Sequence, residues 1–525
     1  MLETNPIFLV MLLRRVGAQN SLRFLLGRQL HHPRMRCSLK AYRFLSFCLI
    51  AVLLAAAHLH GQSSTTAPSS SVEPALPGPP NPFLGSAPEA KPTAEVLQID
   101  FKEAIDRGLR NNLGLLLASD QNETARGERW KALSDLLPNI SARVQENAQN
   151  ESLAALGFTK LLPLFAPGSN ASTFPRVTPA FNYFDMRASL SQSVFNYHDL
   201  EKARASSQSV KAAQYTYKDA RETVVLAVGN AYLQAIAAAA RVETAEAQVT
   251  SAQALSDKAT DQQKAGVIPA IDSLRAQVEL QSRKQQLIVA RNDLAKYRLT
   301  VARVIGLALG QEFVLTEKAP YQSLTPLPLD AYLQKAYQSR SDYQAALTQV
   351  RAAELMRRSA SAGHLPTLDF AANLGDIGVT PSQSNGTWQV NGGLNIPIFA
   401  GNKVHSDVLE ADAQLKQVRS QLGDLRGRID YEVRTALLDL NAAAEQVEVA
   451  RSSVDLAERA LTQSQDRFTA GIADNLEVVQ AQESVASAHE SYIQSLYAHN
   501  LAKVELAHAI GDAEDGVKRF LKGNQ

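Results

Sequence analysis

From Val404 to Ala470 the chain runs for almost seventy residues without a proline, and Pro397 is the last in the sequence. In the second half of this run the apolar positions are Val433, Leu437, Leu440, Ala444, Val447, Ala450, Val454, Ala457 and Leu461. Their spacing mostly alternates between three and four residues, the narrow seam of a helix that supercoils against partner helices. One helix over the whole run would reach roughly 100 Å, several times the usual length in a globular domain. A rod of that length spans a distance; it does not enclose a pocket. It ends at Gly471, and a helical pattern resumes near Leu476.

The rod occurs twice. A second proline-free run extends from about Leu200 to Ala265 and ends in Lys264-Ala-Gly266-Val, which matches Thr469-Ala-Gly471-Ile at an offset of 205 residues. Leu190-Ser-Gln-Ser-Val-Phe195 matches Leu394-Asn-Ile-Pro-Ile-Phe399, Ala276-Gln277 matches Ala481-Gln482, and Ile305-Gly306 matches Ile510-Gly511. A duplication of about two hundred residues is too long for a solenoid repeat and points to internal pseudo-symmetry. Each copy begins with a helix. Asp100 and Glu103 form a capping-box-like start, and that helix is expected to continue to Leu136, where Leu137-Pro138 stops it. The second copy starts near Leu329 and stops at Leu365-Pro366.

After each Leu-Pro stop the period changes from helical to two. Ile140, Ala142 and Val144 alternate with polar Ser141, Arg143 and Gln145. Phe184, Met186, Ala188 and Leu190 alternate with Asp185, Arg187 and Ser189. In the second copy Leu368, Phe370, Ala372 and Leu374 form one such series, and Trp388, Val390 and Leu394 form the other, against Gln389, Asn391 and Asn395. These are four strands, each with one apolar and one polar face.

Four amphipathic strands cannot close a barrel, for which about eight are the minimum. Two solutions hide the apolar face: a soluble sandwich, or a membrane barrel shared by several copies. In the barrel, Phe184, Met186, Phe370 and Trp388 face lipid, and Arg143, Asp185, Arg187 and Asn391 line an aqueous lumen. The N-terminus favours the barrel. Arg34, Arg36, Lys40 and Arg43 precede an apolar run from Phe44 to Ala57, which reads as a secretory signal peptide within residues 1–61. Residues 62–95 read as a disordered leader rich in Pro and Ser. Both cysteines, Cys37 and Cys48, fall in the signal region, so the rest of the chain has no disulfide or thiolate metal site. The whole chain has a formal net charge of +1, but residues 62–525 carry about −6, which argues against nucleic acid as a partner. No later stretch has eighteen consecutive apolar residues.

The duplicated helix–strand–strand–rod–Gly–helix unit, the two Leu-Pro stops, Arg467-Phe468-Thr-Ala-Gly471 and the paired Gln277 and Gln482 together resemble the TolC-like family of outer-membrane efflux channels. The resemblance covers roughly residues 96–511. It implies a mainly α fold with membrane β: a long helical periplasmic tunnel plus a β-barrel shared by a homotrimer, four strands per protomer. The expected segments are a first repeat at 96–306, a linker at 307–328, a second repeat at 329–511 and a tail at 512–525. The resemblance also implies export through a periplasmic adaptor and an inner-membrane pump, with no cofactor. It implies that the tips at Gly266, Val267, Gly471 and Ile472 dock the adaptor. An apolar Val267 or Ile472 at an exposed tip suits that role. Glu477, and less directly Asp272, would form an acidic ring near the periplasmic entrance. The position of a second acidic ring holds Gln480, a departure from the family.

No Gly-x-Ser-x-Gly, His-Glu-x-x-His or phosphate-loop pattern occurs. His489, His499 and His508 share one helical pattern but at gaps that do not make neighbours on a helix face. The chain is therefore read as a non-enzyme. The competing reading is a soluble periplasmic coiled-coil adaptor or scaffold, although adaptors usually lack this duplication.

Overall fold

The computed structural model of the chain describes residues 81–88, 91–92, 94–157, 176–317, 321–322 and 327–516. The signal peptide expected at 1–61, most of the leader and the tail from 517 lie outside the described residues. The first half contains β1 (Leu97–Ile99), α1 (Phe101–Asn111), α2 (Leu113–Ser134), β2 (Asn139–Gln149), β3 (Phe181–Phe195), α3 (Tyr197–Lys264) and α4 (Ala270–Ile305). The second contains β4 (Phe313–Leu315), α5 (Leu329–Ser339), α6 (Ser341–Ser361), β5 (Thr367–Gly378), β6 (Ser384–Asn395), α7 (Lys403–Thr469) and α8 (Asn475–Ala509). The two halves thus repeat one order: two helices, two strands, a rod and a return helix.

Asp100 caps α1, accepting from the Glu103 N–H at 2.6 Å. The helix does not run on to Leu136, which corrects the expectation from sequence. Asn112 leaves the helical region at φ −67° and ψ 130°, and its side chain accepts from the Gly114 N–H at 2.9 Å to start α2. The break is held from outside. Asn112 Nδ2 donates to the Phe83 carbonyl at 2.7 Å, and the Phe83 ring occupies the space a side chain at Gly114 would need. Part of the stretch read as a disordered leader is therefore a strap, with a short helical turn at Pro82–Leu84. In the second half Arg340 makes the corresponding break between α5 and α6.

The rods form as their patterns dictate. α3 has 68 residues and α7 has 67, so each is roughly 100 Å long. On α7 the seam residues Val433, Leu440, Val447 and Ala450 are buried. By composition α3 contains a window apolar enough to cross a membrane, yet most of that window is buried inside the protein. Val224, Val225, Val228 and Tyr232 on α3 pack with Ile99, Phe101, Ile105, Val304, Ile305 and Val504 in one core. A second core joins Tyr332, Ile429, Val433, Leu440, Leu506 and Ile510. A third, small cluster of Leu255, Ala259, Ala276, Phe468 and Val478 lies where the helical hairpins turn.

β1 and β4 pair in parallel and join the two halves. The other four strands form one antiparallel sheet in the order β2-β3-β5-β6, so β2 and β6 are its edges. The Leu-Pro dipeptides act as expected at its entry: β2 begins at Asn139 and β5 at Thr367.

Candidate functional site

The strand register assigns every side chain of the sheet to a face. Val144 pairs with Met186, Ala188 with Leu374, and Leu374 with Trp388, so these share a face. By the same register Phe184, Met186, Phe370 and Trp388 all lie there, with Ile140, Val390 and Leu394. Among the described residues nothing packs over this face, and Trp388 is 76% exposed. Arg143 pairs with Arg187, and Ala371 with Asn391, on the opposite face with Asp185. The residues predicted for lipid and for lumen are thus segregated.

The polar face carries a ladder of side-chain hydrogen bonds across all four strands. Gln145 Nε2 donates to Asp185 at 3.4 Å, and Arg187 Nε donates to the same carboxylate at 3.3 Å. Arg187 also donates to Asn373 Oδ1 at 3.0 Å. Asn373 donates to Gln389 at 3.2 Å, and Gln389 to Asn391 at 3.3 Å. The alternation in the sequence places Gln145, Asn373 and Gln389 on the polar face, but it does not name them as lumen residues or link them into a network. Their odd positions in alternating strands were the available signal.

At the other end of the rods the two turns are built alike. Gly266 and Gly471 adopt φ of +74° and +72°, a conformation that favours glycine. The Val267 N–H donates to the Gln262 carbonyl and the Ile472 N–H to the Arg467 carbonyl, both at 2.9 Å, closing the Schellman pattern. The turn geometry leaves the next side chain outside: Val267 is 69% exposed and Ile472 is 72% exposed. The tips are tied together, because Asn475 Nδ2 donates to the Asp272 carbonyl at 2.8 Å and Lys258 Nζ to Thr469 Oγ1 at 2.6 Å.

The predicted acids sit in the first turns of the return helices. Asp474 caps α8 by accepting from the Glu477 N–H at 3.2 Å. The Glu477 carboxylate is 3.3 Å from Arg467 Nε and accepts from Ser464 Oγ at 3.4 Å. Asp272 is ion-paired with Arg275 at 3.1 Å. Gln480 is exposed in a groove between α7 and α8, alongside Ser453 and Ser484.

Midway along the helices is a charged hub that sequence reasoning missed. The Arg340 side chain is buried and donates to both oxygens of Asp342, at 3.0 and 2.8 Å, to Glu432 at 2.6 Å and to the Ala509 carbonyl at 3.2 Å. Burial alone would raise the Asp342 carboxyl, but these bonds hold it below its ordinary value. Nearby, burial pushes Asp219 up to about 6 and Glu222 up to about 7, the latter despite accepting from the Ala513 and Glu514 N–H groups.

A two-faced sheet with open edges, carried on paired rods with reversing tips, defines a membrane duct with a helical extension. The chain belongs to the outer membrane efflux protein family, whose model matches residues 104–307 and 332–512. It is an outer-membrane channel of tripartite efflux or secretion systems, with its helices in the periplasm. That sets aside the reading as a soluble adaptor. It is 25% identical to outer membrane protein TolC of Escherichia coli over 346 residues, 61% of this chain and 68% of that protein. It is 21% identical to the alkaline protease secretion protein AprF of Pseudomonas aeruginosa, over 74% of this chain and 84% of that one. Among solved structures, the Campylobacter jejuni CmeC outer membrane channel superposes with a TM-score of 0.68 at 17% identity, covering 84% of this chain and 94% of CmeC. The family and these relatives are channel proteins.

Proposed function

We propose that three copies of this chain close their sheets into one twelve-stranded barrel. The face with Phe184, Met186, Phe370 and Trp388 meets lipid, and the face with Arg143, Asp185, Arg187 and Asn391 lines the lumen. The observation that carries this reading is a four-stranded amphipathic sheet with both edges unpaired among the described residues, too few strands to close a barrel. The rods continue the duct into the periplasm. Cargo driven by an inner-membrane pump enters through a periplasmic adaptor and passes without chemistry.

In this assembly Gly266 with Val267, and Gly471 with Ile472, provide six pseudo-equivalent tips that fit a hexameric adaptor. Glu477 contributes an acidic ring at the entrance, with Asp272 beside it and uncharged Gln480 three residues on. Rings of carboxylates at a constriction favour cations, and Glu477 acts in this way to the extent that its solvent-exposed pair with Arg467 leaves its charge uncancelled. The test is the mass of the purified protein in detergent. It should be about three times the 57.0 kDa chain, less any leader removed. A monomer dispersed in buffer without detergent would refute the shared barrel.

A further inference from the structure

Among the described residues, the polar face of the sheet holds one charge that nothing balances. Arg143 on β2 stands directly opposite Arg187 on β3. Like charges at one cross-strand site cost stability. Arg187 is compensated by Asp185 and Asn373. The Asp185 carboxylate is already shared between Arg187 and Gln145. Arg143 is exposed and has no ion pair or side-chain hydrogen bond among the described residues.

The remaining acids of the sheet do not reach it. Glu146 and Asp376 lie on the apolar face. Asp369 shares the polar face but pairs with Ser193, six residues along β3 from Arg187, or roughly 20 Å. That exceeds the screening length in physiological salt. Closing the barrel does not help either. β2 is an edge strand, and its new neighbour would be β6 of the next copy. β6, Ser384–Asn395, contains no charged residue.

We infer that Arg143 forms a ring of three uncompensated guanidinium groups inside the barrel, an anion site on the route to the outer exit. Its chemistry suits small polyanions, carboxylates and phosphates, which a guanidinium can hold with two parallel hydrogen bonds. It would favour the passage of anionic cargo after an entrance that favours cations. The inference rests on the shared-barrel reading above.

The test uses the full chain in planar bilayers, with citrate added on the barrel side. Citrate should block the wild-type current. Arg143→Gln should weaken that block by about tenfold or more, because three charges act together on a trivalent ion. Arg143→Lys keeps the charge but not the paired hydrogen bonds, so its block should be weaker than wild type and stronger than that of Arg143→Gln. The Gln variant should assemble normally and melt no lower than wild type, since it removes a like-charge pair. A wild-type chain that forms no pore overturns the barrel reading itself. A conducting wild type that citrate does not block, or equal block in Arg143→Gln, overturns only the anion ring. So does loss of block that accompanies loss of assembly, which would make Arg143 a structural residue.

Discussion

Replacing the two exposed apolar tip residues separates docking from folding. Full burial of a Val or Ile side chain is worth about 1.5–3 kcal/mol. Val267 is 69% exposed and Ile472 is 72% exposed, so most of that gain is still available to a partner. A partner that covers them would gain about 1–2 kcal/mol from each. With three copies per trimer, Ile472→Ser alone should weaken adaptor binding by about 3–6 kcal/mol, a factor of about 10² to 10⁴. Val267→Ser should act similarly, and the pair more strongly. Within the chain these side chains contribute little, so the stability change should stay within about 0.5 kcal/mol. The assay is binding of detergent-solubilised protein to immobilised adaptor, with thermal midpoint and trimer yield measured alongside. Gly266→Trp and Gly471→Trp test the same surface by bulk: nothing lies within 4 Å of either position to clash with the indole, but both glycines are at positive φ, so some backbone strain accompanies the obstruction and trimer yield is read alongside. Wild-type affinity in the double Ser variant would refute the docking reasoning. So would a loss of affinity that merely tracks loss of trimer.

Three further outcomes follow from the charged groups. Glu477→Ala should lower cation selectivity and block by multivalent cations in bilayers, and unchanged values for both would end the idea of an acidic ring. Arg340→Met leaves Asp342 and Glu432 without their buried partner and should cost about 3–5 kcal/mol in urea unfolding; a loss below about 1 kcal/mol would show that the hub is dispensable. Burial raises Glu222 from 4.5 to about 7, so the folded chain holds a proton that the unfolded chain releases over that interval. The resulting stabilisation is complete below about pH 4.5 and is lost as pH rises through 7. Glu222→Gln keeps an acceptor for the Ala513 and Glu514 N–H groups, so it should leave the thermal midpoint unchanged near pH 4 and raise stability by about 1–3 kcal/mol at pH 8. The same wild-type-to-variant difference at both pH values would contradict the proton linkage.

Local periodicity determined much of this molecule. Strand side chains alternate by backbone geometry, so the faces holding Arg143 and Trp388 could be read without knowing their neighbours. The helical seam from Val433 to Ala450 and the left-handed turn at Gly471 are equally local, because each needs only nearby backbone to define it. What only the tertiary structure decided depends on residues that meet across long stretches of chain. The break at Asn112 is held by Phe83, 29 residues earlier. Arg340 is a hub because Glu432 and Ala509 arrive beside it from α7 and α8. The parallel pairing of Leu97–Ile99 with Phe313–Leu315 has no periodic signature, since three residues are too few to show one. Arg143 illustrates both levels. Its face follows from alternation, but its lack of a partner among the described residues follows from register, which places Arg187 opposite it and leaves Asp185 engaged elsewhere. A chain's local pattern sets which way a side chain points; only pairing energies summed over the whole fold set what it meets.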